Sequence, residues 1–299
     1  MAPLAGETKA LGGFRKSAGE ISPGLHIVAT PIGNARDLTL RALDVLHGVD
    51  LIAAEDTRVT SKLLAIHGIQ KTLSAYNDHN GMRERPRLLK MMAEGKRVAL
   101  VSDAGTPLVS DPGYKLVREA LLLGLAVHAI PGPSAALTAL TLAGLPTDRF
   151  LFAGFLPAKG TDRRRAIGAV AGVAATLVFF EAPHRLSESL ADLAELLGDR
   201  PAVVARELTK LFEEVRRSSL AELAAHYAAF PDVKGEIVLV IGAPPADAAP
   251  DEETLDAALR VALAGASVKD AAAEVAARFG RQRRDVYARA LALKRENRE

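Results

Sequence analysis

The segment Glu55-Asp-Thr-Arg58 brings together two carboxylates and a guanidinium, groups that can accept a proton and bind an anion. It follows Val49-Asp-Leu-Ile-Ala-Ala54, an apolar run that predicts a buried strand. In open α/β sheets, ligands bind at the carboxyl ends of strands, so this position favours a chemical role. A structural role is equally compatible with the residues, because Asp56 or Thr57 can cap a helix over Val59–His67.

Three other turns are rich in glycine, proline and small polar residues, and each follows a predicted strand. They are Thr30–Asn34, Ser102–Ser110 and Pro131–Ala135. Because glycine permits unusual backbone angles and proline stiffens a turn, such segments present backbone amides in a fixed arrangement. Turn geometry alone explains any one of them, but three along one sheet edge indicate a pocket for a nucleoside-like ligand. The turns lack the G-x-G-x-x-G pattern, which argues against a dinucleotide-binding fold.

The second of these turns organises the first half of the chain. It follows Lys96–Val101, which predicts a strand buried on both faces, and precedes Lys115–Leu123, which predicts a helix. Asp111 stands before Pro112, so we expect Asp111 to be the N-cap of this helix and Pro112 its first residue.

Isolated polar groups elsewhere are weaker candidates. Arg185 and Lys210 follow predicted strands and could pair with phosphate, although solvated surface charges explain either one as well. His79 in a polar loop could titrate or bind a substrate, but loop histidines are mostly plain surface residues.

The C-terminal segment is basic and helical by pattern. Helices over 268–279 and 283–293 resemble a helix-turn-helix. Its basic residues outnumber its acidic ones, and they are Arg278, Arg281, Arg283, Arg284, Arg289, Lys294, Arg295 and Arg298. Such a surface is typical of RNA phosphate binding, and a solubilising tail is the alternative.

The order of elements predicts two α/β domains. We expect a disordered leader over 1–24, an N-terminal α/β domain over 25–145 and a C-terminal α/β domain over 146–243. A linker rich in proline and alanine over 244–252 then leads to a basic helical extension over 253–299.

Composition limits the functional classes. The 299 residues include 0 cysteines, which excludes disulfides, thiolate catalysis and zinc–thiolate sites and is compatible with a reducing cytoplasm. A net charge of +2 gives no global field for nucleic acid, so any such signal is local. No apolar run is long enough to span a bilayer, and we expect a cytoplasmic protein without a metal or a membrane partner.

Several long motifs, in one order, resemble the bacterial ribosomal RNA methyltransferases of the tetrapyrrole-methylase superfamily. The resemblance covers nearly all of 25–293. The motifs are Val28-Ala-Thr-Pro-Ile-Gly-Asn34, Leu38-Thr-Leu-Arg-Ala42, Ala53-Ala-Glu-Asp-Thr-Arg58, Ser102-Asp-Ala-Gly-Thr-Pro-Leu-Val-Ser-Asp-Pro-Gly113, Pro131-Gly-Pro-Ser-Ala135, Gly154-Phe-Leu-Pro157 and Phe180-Glu-Ala-Pro-His-Arg185. Asn77 departs from the family, which usually has a histidine there, so we do not centre a mechanism on that loop.

The resemblance implies an enzyme that moves the methyl group of S-adenosyl-L-methionine to the ribose 2′-hydroxyl of a cytidine in the decoding region of 16S ribosomal RNA. It implies small-subunit ribosomal RNA or the 30S subunit as partner, a homodimer, and a cofactor held in the cleft between the two domains. Together with the three turns, it assigns cofactor contacts to Pro31, Ile32, Ser102, Asp103, Ala104, Gly105, Thr106, Val109, Ser134, Ala135, Glu181 and Leu208.

Because the methyl group of the cofactor is already activated, the protein must chiefly align the ribose oxygen with it and provide a group that accepts the hydroxyl proton. We expect Glu55 or Asp56 to be that proton acceptor, with Arg58 and Lys210 orienting phosphate. Two other functions stay open. One is C-methylation of a tetrapyrrole in cobalamin or siroheme synthesis, and the other is a non-catalytic module that binds the cofactor or RNA.

Overall fold

The structure is a computed structural model that describes residues 20–245, 252–263, 265–279, 281 and 283–296. The predicted leader lies outside the described residues as far as residue 19, and so does the predicted linker over 246–251. By contacts the described chain divides into two compact units. The first ends at Thr138 and also includes Glu207–Glu213; the second comprises Ala139–Arg206 and the described residues from Glu214 onward. The predicted boundary at 145 stays a prediction.

The first unit contains a five-stranded sheet in which all paired strands are parallel. Its order is β3-β2-β4-β1-β5. The strands are β1 (Gly24–Val28), β2 (Leu51–Ala54), β3 (Leu73–Ala75), β4 (Arg97–Val101) and β5 (Val127–Ile130). Every residue of β2 is buried, as its unbroken apolar sequence predicts for a strand covered on both faces. Parallel pairing brings the turns after β1, β4 and β5 to one edge of the sheet.

Helices cover this sheet, with one apolar cluster on each face. They are α1 (Leu40–Gly48), α2 (Thr57–Ile66), α3 (Gly81–Ala93) and α4 (Tyr114–Leu122). Helix α5 (Ala135–Ala143) follows β5, and its residues are divided between the two units. Thr39 caps α1, because its hydroxyl accepts a hydrogen bond from the Ala42 amide at 3.1 Å.

The expected N-cap at Asp111 was wrong. Helix α4 begins at Tyr114 after Gly113, whose φ is 135° and which provides no side-chain cap. The Asp111 carboxyl instead accepts a hydrogen bond from Ser102. The Asp111–Pro112 pair therefore predicted the turn correctly, but the start of the helix predicted from it was too early.

The second unit contains a mixed sheet of order β6-β7-β10-β8-β9. Its strands are β6 (Phe150–Phe155), β7 (Thr176–Glu181), β8 (Pro201–Arg206), β9 (Glu214–Ser219) and β10 (Ile237–Ile241), and its helices are α6 (Gly160–Val170), α7 (Leu186–Leu197) and α8 (Leu220–Ala229). Only β6 and β7 pair in parallel; the other pairings are antiparallel. The sequence did not indicate β9, because this edge strand has one apolar residue, Val215, and no buried position.

The C-terminal helices are α9 (Glu252–Leu263), α10 (Val268–Phe279) and α11 (Arg283–Glu296). They share a small apolar core that includes Leu259, Ala272, Val286 and Ala290. In the described part of the chain, no helix combines the length and apolar character needed to cross a bilayer.

Candidate functional site

Two of the predicted turns are joined by the backbone. The Thr30 amide donates to the Gly105 carbonyl at 2.8 Å, and the Gly105 amide donates to the Thr30 carbonyl at 3.0 Å. The buried Thr30 hydroxyl adds a hydrogen bond to the Ser102 carbonyl at 3.1 Å. The third turn is attached as well, since the Thr106 hydroxyl donates to the Pro133 carbonyl at 3.0 Å. The structure therefore brings together the three turns that the sequence singled out.

The turn after β4 stores backbone strain. Leu108 and Ser110 have φ values of 74° and 66°, which residues with a side chain rarely adopt, and Gly105 has a φ of 79°. Non-glycine residues persist in this region only where surrounding contacts hold them, and such strain concentrates at functional sites.

Side chains in these turns are small or turned inward. Pro31, Ile32 and Ser102 are buried, whereas Ala104 is exposed and Thr106 and Val109 are half-buried. Among the described residues, no hydrogen bond joins the amide of Ala104 or Thr106 to another group of the chain. These two amides can therefore serve as donors to a ligand.

The Ser134 side chain has a structural task. Its hydroxyl accepts from the Leu137 amide at 3.5 Å, which places it at the start of α5 beside the half-buried Ala135. The sequence interpretation left this hydroxyl free for a ligand; the structure gives it a long and weak capping contact.

Leu208 and Lys210 belong to the first unit, although they lie between β8 and β9 in sequence. A Cβ atom added to Gly33 would lie 2.9 Å from the Thr209 hydroxyl and 3.0 Å from the Leu208 carbonyl. Only glycine permits so close an approach. The Lys210 ammonium pairs with Glu207 at 2.7 Å.

Four carboxylates follow β2 and β4: Glu55, Asp56, Asp103 and Asp111. The Asp103 amide donates to Glu55 at 3.4 Å, and the Asp103 carboxylate accepts from the Asp56 amide at 3.0 Å. Burial raises the pKa of Glu55, and repulsion from Asp103, Asp78 and Asp56 raises it further. Burial, Glu55 and Asp103 together raise the pKa of Asp111 to about 6, against a hydrogen bond from Ser102. The sequence predicted only a capping role for Asp111, because Pro112 follows it, and did not indicate its place among these carboxylates.

Asp56 and Arg58 form a local pair instead. Asp56 caps α2 through the Arg58 amide at 2.8 Å and binds the Arg58 guanidinium at 2.6 Å. These hydrogen bonds lower the pKa of Asp56 to about 2. The capping interpretation of Asp56 is confirmed, while the Arg58 side chain remains 86% exposed.

A model of the family described as Tetrapyrrole (Corrin/Porphyrin) Methylases matches residues 24–224. The chain belongs to this family. A second model, described as the RsmI C-terminal HTH domain, matches residues 248–294. The fold class predicted for this tetrapyrrole methylase is thereby confirmed, including its helical C-terminal extension.

Similar proteins extend over most of the chain. Ribosomal RNA small subunit methyltransferase I of Mesorhizobium japonicum is 51% identical over 276 residues, which are 92% of this chain and 93% of that protein. The protein of the same name from Erythrobacter litoralis is 54% identical over 278 residues, which are 93% of this chain and 98% of that protein. The resemblance drawn from the motifs is confirmed.

Solved structures resemble the tetrapyrrole methylase in fold. The uroporphyrin-III-C-methyltransferase from Thermus thermophilus has a TM-score of 0.54 and 23% identity, covering 73% of this chain and 93% of its own. The methyltransferase CobJ has a TM-score of 0.56 and 20% identity, and the match covers 74% of this chain and 95% of the CobJ chain. At this identity the likeness concerns the fold alone.

In the second unit of this methylase, Glu181 is enclosed. One carboxylate oxygen accepts from the Ala182 amide at 2.7 Å and from Arg185 at 2.8 Å, and the other accepts from the Ser189 hydroxyl. Glu181 thus holds Arg185, and its predicted contact with a cofactor stays a prediction. The remaining candidate, His79, lies in a loop held by Asn77, whose side chain accepts from the His79 amide at 3.1 Å.

No group of three or more potential metal ligands occurs among the described residues. The prediction that this methylase works without a metal stays a prediction.

Proposed function

We propose that this protein transfers the methyl group of S-adenosyl-L-methionine to the ribose 2′-hydroxyl of a cytidine in the decoding region of 16S ribosomal RNA. The observation that carries the proposal is identity above 50%, over nearly the whole chain, to proteins named ribosomal RNA small subunit methyltransferase I. The cytidine and its place in the RNA come from the resemblance and are the finer part of the proposal.

The residues of the first unit fit this cofactor. A nucleoside with an amino-acid tail needs backbone donors and small side chains that allow close approach. The amides of Ala104 and Thr106, the exposed Ala104 methyl and the half-buried Val109 and Ser134 supply both. The cofactor would supply a methyl group already activated on sulfur.

Glu55 is the better of the two proposed proton acceptors. A ribose hydroxyl needs a partner that takes its proton as the new bond forms. The raised pKa of Glu55 makes it a stronger base, whereas the capping and pairing of Asp56 make that carboxylate a weak one. Arg58, largely exposed, and Lys210 would orient phosphate.

The C-terminal helices are proposed to bind RNA. The side chains of Arg281, Arg283, Arg284 and Lys294 are exposed on this module. Arg289 has another task, since it bonds Asp256 at 2.7 Å across the module. The described part of the basic surface therefore has fewer basic side chains than the sequence predicts. The side chains of Arg278, Arg295 and Arg298 are outside the part of the chain that the structure describes.

We also propose a cytoplasmic homodimer. Leu121, Leu122 and Leu123, at the end of α4, are 59%, 74% and 63% exposed. Adjacent exposed leucines favour an interface with another protein surface. Sedimentation velocity of the full chain tests this proposal, and a monomer at micromolar concentration would contradict it.

The decisive experiment offers labelled S-adenosyl-L-methionine with either unmethylated small ribosomal subunits or a porphyrinogen. Label in the RNA at a ribose is the expected result. Label in the porphyrinogen would identify a tetrapyrrole C-methyltransferase, and cofactor binding without transfer to either would identify a non-catalytic module.

A further inference from the structure

The segment Glu207–Glu213 carries two large apolar side chains at its surface. Leu211 is 89% exposed and Phe212 is 69% exposed, whereas Leu208 in the same segment is 5% exposed. The segment thus has a buried anchor and an apolar tip. Adjacent exposed apolar side chains favour contact with a partner.

The backbone of this segment is held by its own contacts. Glu207 and Thr209 have φ values of 51° and 65°, which non-glycine residues rarely adopt. The Thr209 amide donates to the Glu213 carboxylate at 2.6 Å, and Lys210 pairs with Glu207 at 2.7 Å. The two carboxylates are therefore engaged within the segment, which weakens their repulsion of an approaching phosphate.

The same segment is attached to the candidate cofactor pocket. The Asn34 amide donates to the Thr209 hydroxyl at 3.2 Å, and Gly33 lies against the Leu208 carbonyl. The turn Thr30–Asn34 and the apolar tip are consequently parts of one rigid arrangement within the first unit. The tip is therefore connected through Leu208 and Thr209 to the turn that is proposed to contact the cofactor.

We propose that Phe212, supported by Leu211, is a stacking platform for an RNA base at or beside the methylated nucleotide. The inference rests on the proposed function. RNA-binding proteins hold unpaired bases on aromatic rings, and such a contact would fix the position of the nucleotide whose 2′-hydroxyl is methylated. An exposed phenyl ring on a fixed backbone offers such a surface at little cost in conformational entropy.

The test compares Phe212→Ala and Phe212→Tyr with Phe230→Ala, a control at the end of α8 whose side chain is 65% exposed. Steady-state methylation of unmethylated small ribosomal subunits is measured together with calorimetric affinity for S-adenosyl-L-methionine. For Phe212→Ala we expect a loss of about tenfold or more in kcat/KM, and for Phe212→Tyr a value within about threefold of wild type, since stacking tolerates a phenol. Phe230→Ala should match wild type, and cofactor affinity should be unchanged in all three variants.

The outcomes separate this inference from the proposed function. Phe212→Ala at wild-type efficiency, or Phe212→Tyr as impaired as the alanine variant, would overturn the stacking role. A changed sedimentation coefficient of Phe212→Ala would also overturn it and assign the tip to contact with a second copy. Wild-type protein that methylates no subunits would overturn both proposals.

Discussion

Thr30 and Gly105 exchange two backbone hydrogen bonds of 2.8 and 3.0 Å across neighbouring turns. The turns follow β1 and β4, which are adjacent and parallel in the sheet. Because each residue is both donor and acceptor to the other, neither turn can shift without breaking a buried hydrogen bond. This exchange fixes the amides of Ala104 and Thr106 before any ligand arrives, which lowers the entropic cost of binding.

Gly105→Ala should weaken cofactor binding as well as the fold. Gly105 has a φ of 79°, and an added Cβ would lie 3.4 Å from Ile32. Gly124→Ala is the matched control, because Gly124 has a φ of 69° and nothing within 4 Å of an added Cβ. We expect each variant to lose roughly 1–2 kcal/mol of unfolding free energy from backbone strain. Calorimetry with S-adenosyl-L-methionine should show a loss of about tenfold for Gly105→Ala alone; equal affinities in both variants would contradict the role of the turn.

Glu55→Gln should reduce the chemical step, while Asp56→Asn should not. Asparagine can still cap α2, and the pair that Asp56 makes with the exposed Arg58 contributes little. Single-turnover methylation with saturating cofactor should fall by about a hundredfold or more for Glu55→Gln and by less than about tenfold for Asp56→Asn. Because the base acts when ionised, the wild-type rate should fall as pH falls through the raised pKa of Glu55. A loss below about tenfold in both variants would exclude either carboxylate as the base.

The fold and the pocket differ in how far the sequence predicts them. Apolar runs such as Val98–Val101 predicted the strands, and the glycine- and proline-rich residues beside them predicted the three turns, since burial and turn chemistry are local properties. The edge strand β9 escaped because its pairing with β8 is set by tertiary contact, not by its own residues. The same holds for Thr209, whose partner Asn34 lies far away in the sequence. Asp111 and its partner Ser102 lie in one turn, but their hydrogen bond depends on how the residues between them fold.

Asp111→Asn should stabilise the fold at neutral pH. The folded protein holds a proton on Asp111 up to about pH 6, whereas the unfolded chain releases it near pH 4. The folded state therefore binds more protons between these values, and the unfolding free energy contributed by this group falls as pH rises through that window. Because the carboxyl is only partly buried, we expect Asp111→Asn to raise the unfolding free energy by about 1–2 kcal/mol above pH 6 and to leave it unchanged below pH 4. Urea unfolding from pH 4 to 8 measures this free energy, and the variant of an exposed residue, Asp148→Asn, is the control. A gain in stability that does not depend on pH would contradict the raised pKa of Asp111.

Arg283→Ala with Arg284→Ala should weaken binding to small ribosomal subunits without changing cofactor affinity. Both side chains are exposed on the C-terminal module, and the slope of log affinity against log salt should fall by about 0.7–0.9 for each arginine that binds a phosphate. Arg289→Ala is the contrasting variant, because its guanidinium bonds Asp256 inside the module and its removal should lower the melting temperature. Removal of 251–299 should weaken subunit binding further and leave cofactor binding intact. If cofactor affinity fell as far as subunit affinity, the helices would belong to the fold of the methylase instead of to RNA recognition.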